Sequence, residues 1–193
     1  MSPDKQYVAQ HPRRLLLDGD GSLFLKLATP EDSEQLYKLV HENRDHLGKH
    51  QRWARDINFE QMHQAVQASV QRIAEDSWLQ YRIMVPQAGG EHRMVGTVTL
   101  FGRDLLDGTA VLGYWLAEAE QGKSYARKSI QRLLHYAAGN WQLKKVFIQI
   151  EDDNERAAGL ARRLGAVPLD KFVEDVFDDE VFALRRWELA LAA

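Results

Sequence analysis

The sequence predicts a mixed α+β domain in which strands outnumber helices. Three observations carry this. Residues 112–136, LGYWLAEAEQGKSYARKSIQRLLHY, read as a buried strand, a short turn and an amphipathic helix. Two strand-like stretches run directly into that strand with only short turns between, three in a row as antiparallel neighbours are. Behind the amphipathic helix come a strand, a capped helix and closing strands.

Composition bounds the function without naming it. The chain has 193 residues, enough for one domain with a sizeable core, so residues 1–193 are read as a single unit. Hydrophobic residues make up 45% and charged residues 27%, an ordinary globular balance. A net charge of −3 points to no nucleic-acid surface. With no cysteine, a disulfide framework, a thiolate nucleophile and a Cys-based zinc site are excluded. No apolar run approaches membrane-spanning length, and MSPDKQYVAQHPRR lacks a signal-peptide core. A cytoplasmic protein with no membrane partner is the expectation.

The elements follow in order. Arg14 to Leu17 is a short apolar segment, and Asp18 to Gly21 turns the chain into a strand at Leu23–Leu27. Thr29 caps a helix, with Pro30 at its first position and Asp32 three residues after the cap. Leu36, Leu39 and Val40 form that helix's inner stripe. A second helix spans roughly Phe59 to Glu75, with Phe59, Met62, Val66, Val70 and Ile73 on one face, read as core. Tyr81–Val85 and Met94–Phe101 are strands joined by the Gln87–Glu91 turn, and Asp104 to Gly108 turns again. In the next strand Leu112, Tyr114 and Leu116 alternate with Gly113 and Trp115. A helix follows with Ala126, Ile130, Leu133, Leu134 and Ala137 at helical spacing. Lys145–Ile150 is a strand, and Asn154 caps a helix that Gly165 stops. Val167–Leu169 and Val181–Leu191 are closing strands, separated by the acidic run Glu174–Glu180, read as a solvated turn.

The turn before the central helix carries the chemistry. It delivers Gly122, Lys123 and Ser124 to a helix N-terminus, where backbone N–H groups lack partners and the helix dipole is positive. That is an anion site, most often used for phosphate. Gly122-Lys123-Ser124 ends like the nucleotide-binding pattern G-x-x-x-x-G-K-[ST]. The first glycine of that pattern would fall at 117, which is Ala, and Glu118 and Glu120 would oppose a triphosphate. The bland reading is a solvated turn that caps a helix. Elsewhere, His46 and His50 stand four apart, as metal ligands on one helix face do, but Gly48 lies between them and no third ligand is in register. No metal site is assigned.

Gln121-Gly122-Lys123-Ser124-Tyr125-Ala126 resembles the Q/R-x-x-G-x-G/A pyrophosphate loop of GNAT acyltransferases. LGYWL followed by QGK-YA is similar to their ribosomal-protein N-acetyltransferase (RimJ/RimL) branch. The strand–TPED–helix opening, the N-R-x-x-L…W segment from Asn43 to Trp53, and N-E-R-A…L-G from Asn154 extend the resemblance from about Arg14 to Leu191. Two features depart inside these motifs. Ser124 replaces the loop's central glycine, and an aromatic–proline pair is absent near Trp53.

The resemblance implies a mostly antiparallel sheet of six to seven strands flanked by about four helices, with acyl-CoA entering where two central strands splay. It implies acetyl-CoA as co-substrate and an amine acceptor, a small molecule or a protein N-terminus, that takes the acetyl group by direct transfer in a ternary complex. It places CoA on Gln121 to Ala126 and on Asn154, the thioester on backbone N–H groups of about Trp115 and Leu116, and the acceptor beside Asn43, Arg44 and Trp53. Asn154 can equally be a plain N-cap, and Trp53 plain core packing. The side chains that do proton work in relatives are missing: Val111, Gln149 and Ala157 stand in their places. An amide such as Gln149 cannot act as a base. Candidates that remain are Glu174 and Glu151 as bases and Tyr114 as a donor, set against the plainer reading of each carboxylate as a solvated surface group and of Tyr114 as packing. A catalytically degenerate CoA-binding or interaction module on the same fold is the alternative. Oligomeric state stays open, with a homodimer among the options.

Overall fold

The computed structural model describes residues 16–17 and 21–191. Arg14, Leu15 and residues 18–20 of the expected first turn lie outside the described residues. The elements are β1 (Leu16–Leu17), β2 (Phe24–Leu27), α1 (Ser33–Glu42), α2 (Arg44–Leu47), α3 (Phe59–Ala74), β3 (Leu79–Pro86), β4 (His92–Asp104) and β5 (Thr109–Leu116). Then come α4 (Tyr125–Trp141), β6 (Lys145–Ile150), α5 (Glu155–Leu164), β7 (Val167–Phe177) and β8 (Glu180–Ala190). Short 3-10 turns sit at Pro30–Asp32, Arg52–Ala54 and Glu118–Glu120.

All eight strands form one sheet in the order β1-β2-β3-β4-β5-β6-β8-β7. Every neighbouring pair is antiparallel except β5 and β6. The α+β class stands. The count is one strand and one helix above expectation: the extra strand is the two-residue β1, and the extra helix is the single turn α2. A larger correction falls on the acidic run. Glu174 to Phe177 belong to β7, and only Asp178 and Asp179 turn the chain, with φ of 50° and 63°. A two-residue hairpin needs positive φ at both positions, and Asp tolerates it better than most residues.

The sheet buries both faces. On one, α4 and α5 cover Ala110, Leu112 and Leu116 of β5 with Ile130, Leu133, Leu134, Ala158 and Ala161. On the other, Val40, Leu47, Met62 and Val66 of α1 to α3 pack on Met84 and Met94, with Trp53 and Trp115 at the margin. Asn58 explains where α3 begins: its Oδ1 accepts from Gln61 N–H, and the Gln61 side chain accepts from Asn58 N–H. Asp32 does more than cap. Its buried carboxylate accepts from Thr29 N–H, Lys26 and the fully buried Arg82, tying the start of α1 to β2 and β3.

Candidate active site

Two parallel strands that part company create the site. β5 and β6 pair from Thr109 and Lys145 to Leu112 and Ile148, and no further. β5 continues to Leu116, leaving one edge of Gly113–Leu116 open. On its other edge β5 stays paired with β4 up to Gly96 opposite Leu116. There β4 bulges at Val95, and the backbones close so tightly that a Cβ on Gly96 would lie 2.1 Å from the Trp115 carbonyl oxygen. Trp115 therefore turns its backbone groups toward β4. In a strand these groups alternate, so Leu116 and Tyr114 present theirs to the open edge. Of the two amides the sequence offered, Leu116 faces the gap and Trp115 does not.

The loop follows directly. After the Glu118–Glu120 turn, Gly122 has φ of 77° and Ser124 has φ of 64°, ψ of 9°. Ser124 thus adopts the left-handed conformation for which glycine is preferred. In that conformation its hydroxyl makes no capping bond. The first helical bond runs from Lys128 N–H to the Ser124 carbonyl, so the N–H groups of Tyr125, Ala126 and Arg127 lie outside the ladder. No heavy atom lies within 4 Å of where a Gly122 Cβ would sit, so the cradle is open there. Lys123 is directed elsewhere: its Nζ lies 3.1 Å from Glu120 Oε2. Burial would push the Glu120 carboxyl up, but hydrogen bonds and charge from Arg93 and Lys123 outweigh it and hold the group below the usual carboxylate range. The residues therefore fit a pyrophosphate held by main-chain N–H groups rather than by a lysine.

Tyr114 lies on the α4/α5 side, packed against that core. Burial pushes its hydroxyl up to about 12, against a smaller opposing pull from Arg163. It stays protonated across the neutral range and is a donor, not a base. Asn154 caps α5, with Oδ1 accepting from Ala157 N–H at 3.0 Å. Its amide nitrogen takes no part in that bond.

Residues 43–55 cross the mouth of the splay, anchored on both sides of it. On the β5 side, Asn43 Oδ1 accepts from Glu118 N–H at 2.8 Å, and Gln121 Nε2 meets His46 Nε2 at 2.6 Å. Burial holds the His46 imidazole below its ordinary range, against the pull of Glu118 3.7 Å away, so its Nε2 can accept from the Gln121 amide. Trp53 packs on Trp115 with ring centroids 6.3 Å apart. On the β6 side, Arg52 donates to Glu151 Oε1, and His50 Nδ1 lies 3.3 Å from Glu151 Oε2. Arg52 also stacks over Phe182 of β8 at 3.7 Å.

The sequence candidates divide accordingly. Asn43 and Arg44 are struts: Asn43 Nδ2 donates to the Leu39 carbonyl, and Arg44 donates to the Ile57 carbonyl. Glu151 is not a solvated strand-end carboxylate; the Arg52 guanidinium and the His50 ring engage it, and it is mostly buried. Glu174 pairs in register with Ala183, one residue on from Phe182, and is exposed. It lies on the side of the β7–β8 ribbon away from Phe182 and Arg52, and the structure does not bring it to Glu151. His46 and His50 part ways, one to the loop and one to β6. Donor atoms of His50, Glu151 and Asp153 lie within 4.8 Å of one another, but the Arg52 guanidinium already sits on Glu151 and opposes a second cation there. Sequence reasoning singled out neither Arg52 nor Phe182. Their contacts span about 100 residues or more, and no local pattern reports them.

This arrangement is that of an acetyltransferase. The shared pattern of the acetyltransferase (GNAT) domain matches residues 22–167, and the chain belongs to that family. The ribosomal-protein-serine acetyltransferase of Escherichia coli (strain K12) is 25% identical over 164 residues, covering 82% of this chain and 89% of that protein. Among solved structures, the ribosomal L7/L12 alpha-N-protein acetyltransferase RimL in complex with coenzyme A superposes with a TM-score of 0.80. It is 20% identical, over 91% of this chain and 98% of that one. The microcin C7 self immunity acetyltransferase MccE, in complex with acetyl-CoA and AMP, gives 0.79 at 19% identity, over 89% and 94%. A spermidine N-acetyltransferase from Vibrio cholerae, in complex with CoA and spermine, gives 0.71 at 20% identity, over 89% and 96%. Among the described residues no helix is long and apolar enough to cross a membrane.

Proposed function

We propose that this chain moves the acetyl group of acetyl-CoA to a primary amine by direct attack in a ternary complex. The observation that carries the reading is Ser124. A serine holds the positive φ of the glycine it replaces, and it leaves the first N–H groups of α4 uncapped beside the open edge of β5. Gly122 to Ala126 would hold the pyrophosphate on main-chain N–H groups. Leu116 N–H, at the open edge, would polarise the thioester carbonyl as its oxygen gains charge. The Tyr114 hydroxyl would donate to the leaving thiolate. Holding donor and acceptor together in the gap supplies much of the rate.

The acceptor enters on the side of residues 43–55, the segment that carries Trp53 against Trp115 and along which Glu118 lies by His46, Glu151 and Asp153 by His50, and Glu180 by Arg55. That setting suits a cationic amine. The printed activities of the relatives, on a ribosomal protein serine and on spermidine, give the two acceptor classes to try first. A cytoplasmic reaction follows from such acceptors. The test is thiol release from acetyl-CoA with a serine-initiated peptide and with spermidine. Steady release with one of them supports the reading; acetyl-CoA binding without release in a broad amine panel would favour a degenerate CoA-binding module.

A further inference from the structure

Val111, Gln149 and Ala157 on β5, β6 and α5 carry no group that can take a proton, so the acceptor ammonium needs a base elsewhere. We infer that His50 is that base and that Glu151 positions it. The inference rests on the acetyl-transfer reading above.

His50 lies in the stretch that bridges the splay, between His46 on the Gln121 loop and Trp53 on Trp115. Its Nδ1 faces Glu151 Oε2 at 3.3 Å, with Asp153 Oδ1 next at 4.0 Å. Both carboxylates therefore meet the same nitrogen. That fixes the neutral tautomer: Nδ1 carries the proton and donates it to Glu151. Nε2, on the far side of the ring, keeps its lone pair and has no hydrogen-bond partner among the described residues. The side chain is about a third exposed, so a substrate proton can reach it. Arg52 clamps the other oxygen of Glu151 and is itself held over Phe182, so the carboxylate is fixed in orientation. A carboxylate behind an imidazole both orients it and stabilises the imidazolium that forms. Neighbouring His46 feels Glu118, Lys49 and Arg156 as well as His50 itself, and Glu180 lies beyond Arg52.

The step balances. The acceptor arrives as an ammonium, and His50 Nε2 takes one proton from it. The amine lone pair then forms the N–C bond to the acetyl carbonyl carbon, and the C–S bond breaks. The amine's second proton passes to the CoA thiolate through the Tyr114 hydroxyl or water, and His50 returns its proton to solvent.

Two measurements on the full chain decide the matter. Nitrogen-15 histidine spectra of the wild type should show His50 as the Nδ1–H tautomer, and Glu151→Gln should erase that preference. An Nε2–H tautomer in the wild type would overturn the inference without any acceptor. In kinetics with the serine-initiated peptide or spermidine, His50→Gln should lower kcat/KM by roughly 100-fold, the usual scale for a general base. Its kcat/KM should then follow the free-amine fraction of the acceptor, so that raising the pH recovers part of the loss, while it binds acetyl-CoA within about twofold of wild type. Glu151→Gln should lower kcat about tenfold and leave acetyl-CoA affinity unchanged, as expected of a positioning carboxylate. His50→Gln with wild-type turnover and an unchanged pH rise would overturn the base. So would activity lost to a chelator and restored by zinc. Failure of the wild type to bind acetyl-CoA would overturn the reading beneath it, and is seen separately by calorimetry.

Discussion

The two halves of the proposed site are built from different materials. The side proposed for CoA, β5 through the 121–126 loop into α4, is made of backbone. Its functional groups are N–H vectors set by a bulge, a strand that outruns its partner, and two left-handed residues. The acceptor side, residues 43–55 against Glu151, Glu180 and Phe182, is made of side chains joined across the fold. A backbone site tolerates side-chain change wherever the dihedrals survive, and Ser124 keeps a glycine-like positive φ. A side-chain site changes its chemistry with each residue. Residues without acid–base chemistry on β5 and β6, such as Val111 and Gln149, are therefore compatible with a backbone cofactor site.

Breaking the backbone half should give the largest effect. Gly122→Glu places a carboxylate against the pyrophosphate and forces a side chain into positive φ. Acetyl-CoA affinity should fall at least ~100-fold, or about 2.7 kcal/mol, by calorimetry on folded protein. On the acceptor side, Trp53→Ala removes one wall of the Trp53–Trp115 pair. Acceptor KM should rise about tenfold, a typical loss for a buried aromatic contact, with acetyl-CoA affinity within twofold. Equal losses for both substrates would merge the two halves into one. Ser124→Gly should relieve about 1 kcal/mol of left-handed strain, raise Tm by about 2–4 °C and preserve acetyl-CoA binding. A lower Tm would mean that the serine hydroxyl contributes more than the strain costs. The smallest effect is expected at Glu174→Gln, less than about twofold in kcat, because register places that carboxylate away from Arg52 and Phe182. A large loss there would return Glu174 to the chemistry.

The contrast also explains what could be read in the sequence. Local grammar gave the strand–loop–helix of 112–136, the helix that begins at Phe59 and the Asn154 cap, because each is fixed by neighbours within a few residues. The acidic stretch 174–180 misled because charge mimics a loop, while in the structure only Asp178 and Asp179 turn. Glu151 looked like a solvated carboxylate because its partners, His50 and Arg52, lie about 100 residues away. The two histidines were visible as a pair at helical spacing. That they serve opposite banks of the splay was not, since Gly48 ends α2 between them and redirects the chain.

The most direct measurement is a calorimetric titration of the purified chain with acetyl-CoA, with ATP as control. Saturable binding of acetyl-CoA alone is the expected result and would support a main-chain pyrophosphate site at residues 122–126. Binding of ATP alone, or of neither ligand, would contradict it and would mark Ser124 as a change that closes the loop.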